Sequence, residues 1–163
     1  MKIAEFEKVS LGQYLADSNC GRQATEEVYN NIKLPVRKTK YSAGHDFYMP
    51  FEVSIRPGES ASIPTGIRCK MLNNFVMLIF PRSSLGIKKH LFIANTIPVI
   101  DADYYMNDEN EGHIFIYIRN CGDDVLKLET GDAFAQAVFV EYGVADNGDV
   151  DTERTGGIGS TGK

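Results

Sequence analysis

His113-Ile114-Phe115-Ile116-Tyr117-Ile118-Arg119 is the stretch that decides the fold class. Ile114, Ile116 and Ile118 fall on one face of an extended chain and Phe115 and Tyr117 on the other, the period of a strand with one buried face. The same texture continues outward in both directions. Toward the C-terminus, Gly122-Asp123-Asp124 and Thr130-Gly131-Asp132 bracket Val125 to Glu129, and Phe134 to Val140 supplies a last long strand. Toward the N-terminus, Leu91-Phe92-Ile93 follows Lys88-Lys89, and the six apolar residues from Phe75 to Phe80 predict burial on both faces. Ser60 to Met71 runs through Pro64 to the turn at Asn73-Asn74, and Phe51 to Ile55 leads into Pro57-Gly58. Many short strands at regular spacing, with no helical pattern between them, predict an all-β antiparallel sandwich, jelly roll or barrel.

The two ends have a different character. Ser10, followed by Leu11, Tyr14 and Leu15 and with Gln13 at the capping-box spacing, predicts a short amphipathic helix ending before Asn19-Cys20-Gly21. Thr25 to Ile32 fits a helix or an edge strand equally well. Leu34-Pro35 and Arg37-Lys38-Thr39-Lys40 form a connector whose charge reads as solvated surface. Beyond Tyr142, Asp146-Asn147-Gly148-Asp149 and the Gly-rich tail carry too little apolar surface for a core, so a mobile arm is expected. The expected organisation is a partly helical extension over residues 1–32, a β domain over 33–142 and an arm over 143–163.

Composition narrows the function classes. With 163 residues, 43% of them hydrophobic and 24% charged, the chain is expected to be one soluble domain with an ordinary core. A net charge of −5 argues against a nucleic-acid surface, while leaving room for a small polyanion held by a local group of arginines. Cys20, Cys69 and Cys121 have neither disulfide-framework nor zinc spacing and read as reduced cytoplasmic thiols. Met1 to Val9 holds no apolar signal core, and no run approaches the ~20 apolar residues of a membrane span.

Several segments carry more polarity than a β framework needs. Asn95-Thr96-Ile97-Pro98-Val99-Ile100-Asp101-Ala102-Asp103, closed by Tyr104, is an apolar run ending abruptly in two carboxylates and an aromatic. That pattern suits a hairpin delivering polar groups into a pocket, and it makes Asp101 the first candidate for chemistry. Pro81-Arg82-Ser83-Ser84-Leu85-Gly86 offers a guanidinium, two hydroxyls and backbone amides to phosphate oxygens. Arg154-Thr155-Gly156-Gly157-Ile158-Gly159-Ser160-Thr161-Gly162 offers similar chemistry on a pliable backbone. Gln136, set among apolar neighbours, needs a partner if buried, and Asp46 in Ala43-Gly44-His45-Asp46 suits holding a hydrated Mg²⁺ through its waters.

Taken in order, these segments, together with Gly112 and Gly131 to Gln136, resemble the trimeric dUTPase family from about Lys33 to the C-terminus. The resemblance implies a jelly-roll subunit, a homotrimer with shared active sites, and Mg²⁺-dependent hydrolysis of dUTP to dUMP and pyrophosphate. By position it implies that Asp101 activates the attacking water, and that Arg82, Ser83, Ser84 and Gln136 bind phosphate. Asp46 is implied to hold the metal only through water. Asn95, the backbone of Val99 and Ile100, and Phe115 are implied to read the uracil edge, where cytosine would leave buried groups unpaired. Tyr104 is implied to pack under deoxyribose, and Arg154, Gly157, Ile158, Gly159 and Ser160 to close over the phosphates, often in a neighbouring subunit's pocket.

The departures from the pattern are Ile158 for a stacking aromatic, Ser84 for a glycine, Ala133 for an arginine, and Tyr105 to Glu111 in place of what is commonly one residue. Ser84 is acceptable wherever its φ is negative. Two other readings differ in kind. A dCTP deaminase of the same fold would need a glutamate in the strand after Gly112, and His113 to Arg119 has none. A regulatory protein partner could engage the enlarged turn or the N-terminal extension alongside catalysis.

Overall fold

A computed structural model of the chain describes residues 2–17 and 25–146, with Arg154 and Gly156. The chain opens on β1 (Ala4–Lys8), α1 (Leu11–Asp17) and α2 (Glu26–Asn31), then passes through β2 (His45–Tyr48), β3 (Val53–Ile55), β4 (Ser60–Pro64), β5 (Ile67–Met71) and β6 (Phe75–Pro81). After α3 (Ser83–Lys89) come β7 (Leu91–Ile93), β8 (Val99–Ile100), a 3₁₀ turn (Ala102–Tyr104), β9 (Phe115–Asn120), β10 (Leu126–Leu128) and β11 (Ala133–Glu141). Strand pairing is antiparallel in two larger sheets, β2-β11-β6-β8 and β4-β9-β7, and two ribbons, β1-β5 and β10-β3. The architecture is a jelly-roll-like all-β fold.

The alternation in β9 does what its period requires. Ile114, Ile116 and Ile118 are buried, and Phe115, Tyr117 and Arg119 point to the other, more open face. They meet Ile63, Ile67, Met77, Ile79, Leu91 and Phe134 in one core. β4 and β5 separate at Gly66, whose φ of +70° is the left-handed turn a single long strand could not make.

Three features differ from the sequence-based expectation, and one open reading is resolved. β6 buries Phe75, Met77 and Ile79 but leaves Val76, Leu78 and Phe80 half-covered, so the single chain covers one face where burial on both was expected. Ser83 to Gly86, read as part of a polar segment following the strand, begin the helix α3; its first turn forms as Leu85 and Gly86 donate their N–H groups to Arg82 O at 3.0 and 2.9 Å. Thr25 resolves the open segment toward helix, accepting the Val28 N–H at 3.2 Å as an N-cap. The strand β1 was missed, although Ala4-Glu5-Phe6-Glu7 alternates; it pairs with β5 from Ala4↔Met71 to Lys8↔Ile67.

The expected helix after Ser10 forms, and Ser10 Oγ accepts the Gln13 N–H at 3.1 Å. The reciprocal half of the cap comes from elsewhere: Glu111 takes the Ser10 N–H at 2.8 Å and its hydroxyl at 2.7 Å. Asn19, Cys20 and Gly21, where that helix was expected to stop, lie outside the described residues. Cys69 and Cys121 are free thiols, and burial, with Glu7 nearby, pushes Cys69 up to about 12. Among the described residues no helix is long and apolar enough to cross a membrane.

Candidate active site

The hairpin that carries Asp101 is stitched to the edge of β6. Ile100 pairs with Met77 and Val99 with Leu78, while Ile79 N–H donates to Pro98 O at 3.1 Å. The pairing ends at Ile100, so Asp101 leaves the sheet at a fixed place, its side chain about half exposed. At the other end of the hairpin, Thr96 turns the chain with a φ of +68°, and Ile97 N–H donates to Asn95 O.

Between these ends lies a cavity of about 530 Å³ lined by Asn95, Val99, Ile100, Asp101, Tyr104, Phe115 and Arg154, together with Ala94, Pro98, Ile114 and Tyr117. Seven residues expected from sequence therefore converge. Tyr104 is buried, donating its hydroxyl to His113 O at 2.9 Å and accepting from Asn110 Nδ2 at 2.8 Å. Burial raises its pKa, against the opposing influence of Asn110 and Arg154. Arg154 closes the cavity by pairing with Asp101 Oδ2 at 2.8 Å and Asp103 Oδ1 at 3.0 Å, its guanidinium 5.6 Å from the centre of the Tyr104 ring. In the single chain this arginine docks on its own hairpin.

A second group gathers where β2, β11 and the end of β6 meet. Gln136 sits opposite Asp46 on one side and Phe80 on the other, and its Nε2 donates to Pro81 O at 3.3 Å. Gly44 allows this packing, because a Cβ there would collide with Gln136 Oε1. Asp46 is buried; its Oδ1 accepts from the Arg82 guanidinium, while its buried Oδ2 has no hydrogen-bond partner among the described residues. Ser83 and Ser84 stand exposed at the start of α3, and Ser84 is not among the residues with positive φ, so its replacement of a glycine carries no strain. An arginine, two hydroxyls and an amide are donors suited to phosphate oxygens.

The two groups do not meet within one chain. Asp101 lies beyond Ile100, level with Val76, whereas Arg82 follows the opposite end of β6. Six residues of strand separate those levels, on the order of 20 Å at ~3.3 Å each.

Gly157, Ile158, Gly159 and Ser160 lie outside the described residues. The sequence reading missed the polar shell behind Tyr104. His113 is fully buried, its Nδ1 2.7 Å from Asp17 Oδ2 and its Nε2 accepting the Gly66 N–H at 2.8 Å, which fixes a neutral tautomer with the proton on Nδ1. Desolvation lowers its pKa, and Asp17 pulls in the opposite direction. Asn107 and Asn110 are buried inside the enlarged turn. Their spacing was visible in the sequence, but an Asn-rich turn gives no sign of which way its amides face.

A hairpin pocket ending in a carboxylate and a separate cluster of anion donors have the chemistry that a small phosphorylated ligand would need. Comparison with known proteins gives the family. Residues 30–162 match the dUTPase family model, and the chain belongs to that family. It is similar to the deoxyuridine 5'-triphosphate nucleotidohydrolase of Lactococcus lactis, 45% identical over 134 residues that cover 80% of this chain and 89% of that one. It is similar in structure to the dUTPase of Streptococcus mutans, with a TM-score of 0.68 at 34% identity over 86% of this chain and 98% of that chain. A mutant dUTPase from phage phi11 of S. aureus, described with a structural Mg(II) ion, shares the fold with a TM-score of 0.67 at 20% identity, covering 93% of this chain and 98% of that one.

Proposed function

We propose that this chain hydrolyses dUTP to dUMP and pyrophosphate. The observation that carries the proposal is the single cavity in which Asn95, Val99, Ile100, Asp101, Tyr104 and Phe115 converge. Its largely apolar lining suits a nucleobase and sugar, and Asp101 among the lining residues is a half-exposed carboxylate. Asp101 takes a proton from the attacking water, which requires a carboxylate within hydrogen-bond reach. Asn95 and the hairpin backbone read the uracil edge, and Tyr104 lies beneath the deoxyribose. Arg154 gives up its hold on Asp101 when nucleotide enters and turns to the phosphates, with the remainder of the arm, residues 143–163, closing behind it. Such closure excludes water other than the nucleophile.

Arg82, Ser83, Ser84 and Gln136 bind the phosphate chain, and their donors offset the charge that builds on its oxygens. The Oδ2 of Asp46, without a hydrogen-bond partner among the described residues, fits an ion's hydration shell, so Asp46 would hold Mg²⁺ through water. Mg²⁺ supplies charge neutralisation on the phosphate oxygens when bound. A homotrimer with shared sites is supported by the ~20 Å between the two groups, estimated from strand rise. It is also supported by the half-covered apolar face formed by Val76, Leu78 and Val138. The setting is the cytoplasm, where thiols such as Cys121 stay reduced.

Incubation with a panel of nucleoside triphosphates and Mg²⁺, reading pyrophosphate, tests the proposal. Release should be fastest from dUTP, with dCTP and UTP poor; equal rates across the panel would contradict it.

A further inference from the structure

The enlarged turn, residues 105–111, folds back onto Tyr104. Asn107 Nδ2 donates to Tyr104 O at 2.8 Å and to Asn110 Oδ1 at 2.8 Å, and its Oδ1 accepts the N–H groups of Glu109 and Asn110, both at 3.1 Å. Asn110 Oδ1 also accepts the Gly112 N–H at 3.0 Å, and its Nδ2 reaches the Tyr104 hydroxyl. One pair of amides therefore holds the carbonyl end and the hydroxyl end of the same tyrosine. Gly112 closes the loop at a φ of +80°, where a Cβ would lie 2.7 Å from Tyr104 O.

The outer side of the turn is tied down separately. Glu111 binds Ser10 twice and pairs with Arg68 at 3.0 Å, Arg68 pairs with Glu7 at 3.0 Å, and the Tyr105 hydroxyl donates to Glu7 at 3.0 Å. The turn is thus braced between the N-terminal segment and the tyrosine that lines the cavity.

A turn that merely satisfied its own backbone would not spend a buried amide N–H on a side-chain hydroxyl outside itself. The hydroxyl is the only polar handle on the Tyr104 ring, and two bonds to it fix the ring's in-plane position, where one would leave a pivot. We propose that Asn110, seated by Asn107, is a positioning residue for Tyr104, and that the enlarged turn thereby sets how strictly the site refuses a ribose 2′-hydroxyl. This rests on the reading of Tyr104 as the ring beneath the sugar. A ring held in place rejects the extra oxygen by contact; a ring free to tilt admits it.

The test is kcat and KM on dUTP and on UTP for Asn110→Ala, Tyr104→Phe, their double variant and Tyr104→Ala. Asn110→Ala should raise the UTP to dUTP ratio of kcat/KM about three- to ten-fold, the factor of one net hydrogen bond, through the two KM values and with kcat on dUTP little changed. Tyr104→Phe keeps the ring, removes the same hydroxyl and should move the ratio the same way, and adding Asn110→Ala to it should move the ratio no further. A folded Asn110→Ala with a lowered Tm but an unchanged ratio overturns the proposal. If Asn110→Ala does not fold, Tyr104→Phe decides alone: a raised ratio upholds the proposal and an unchanged one overturns it. Tyr104→Ala separates the two layers. If it leaves the ratio unchanged, the sugar reading fails and the proposal with it; if it raises the ratio while Asn110→Ala and Tyr104→Phe do not, only the positioning role fails.

Discussion

Asp101 emerges where the pairing of β8 to β6 stops, half exposed beside the cavity, with Arg154 as its ion-pair partner. Asp101→Asn keeps the shape and removes the base, so turnover of dUTP should fall ~10²–10⁴-fold while circular dichroism and Tm stay near those of the parent. Near-normal turnover would dismiss Asp101 as the base. His113 makes a prediction of another kind. Its folded pKa is lowered, so below the ordinary value of 6.5 the unfolded chain binds a proton that the folded chain refuses. Stability should accordingly be full above pH 6.5 and fall as pH drops below it, by up to ~1.4 kcal/mol per pH unit for this group. His45, also lowered by desolvation, acts in the same sense. Urea unfolding at pH 7.5, 6.5 and 5.5 should show a shallower fall in His113→Gln, and an identical fall would remove His113 as a contributor. The place of Asp101 at the end of a paired apolar run was legible in the sequence, while its role as base was suggested only by the company of the other polar segments. The burial of His113 was not legible, since it depends on Asp17 and Gly66, distant in the chain.

Among the elements, strands were the most readable, because a period of two survives in the sequence whatever the strand pairs with. β9 and β11 lie close to where alternation and apolar content put them. β1 was passed over, and α3 was concealed by a Pro-Arg-Ser-Ser segment whose turn propensity says nothing of the helix that follows. The enlarged turn was visible as a length but not as a contact, for its partners Ser10, Glu7 and Arg68 are remote in sequence. Burial pushes Glu111 upward, but Ser10 and Arg68 outweigh it and hold the carboxyl below its ordinary value. Glu111→Ala should therefore cost about 1–3 kcal/mol, the loss of charge-assisted hydrogen bonds to Ser10 and Arg68. Chemical denaturation at pH 7 checks this, and an unchanged midpoint would show that the latch between turn and α1 contributes nothing.

At the scale of the whole molecule, the cavity that holds Asp101 and the donor group around Arg82 lie apart in one chain, although the proposed function needs both. The family pattern names Asp101 and Arg82 alike, yet the register of β8 on β6 sends them toward opposite ends of the same strand. No periodicity in the sequence could reveal that separation, which depends on which strands pair and in which direction. Assembly of three copies would bring the carboxylate of one chain to the guanidinium of another. The most direct measurement uses two impaired chains, Asp101→Asn and Arg82→Lys, the latter keeping a cation beside buried Asp46 while losing the planar fork. They are co-expressed with different tags and mixed trimers are purified through both. If sites are shared between chains, each purified hybrid trimer regains one of its three sites, pairing an intact Asp101 with an intact Arg82, and dUTP turnover rises to about a third of wild type, well above either parent. If purified hybrids turn over dUTP no faster than the mean of the two parents, the site is complete within one chain and the account is contradicted.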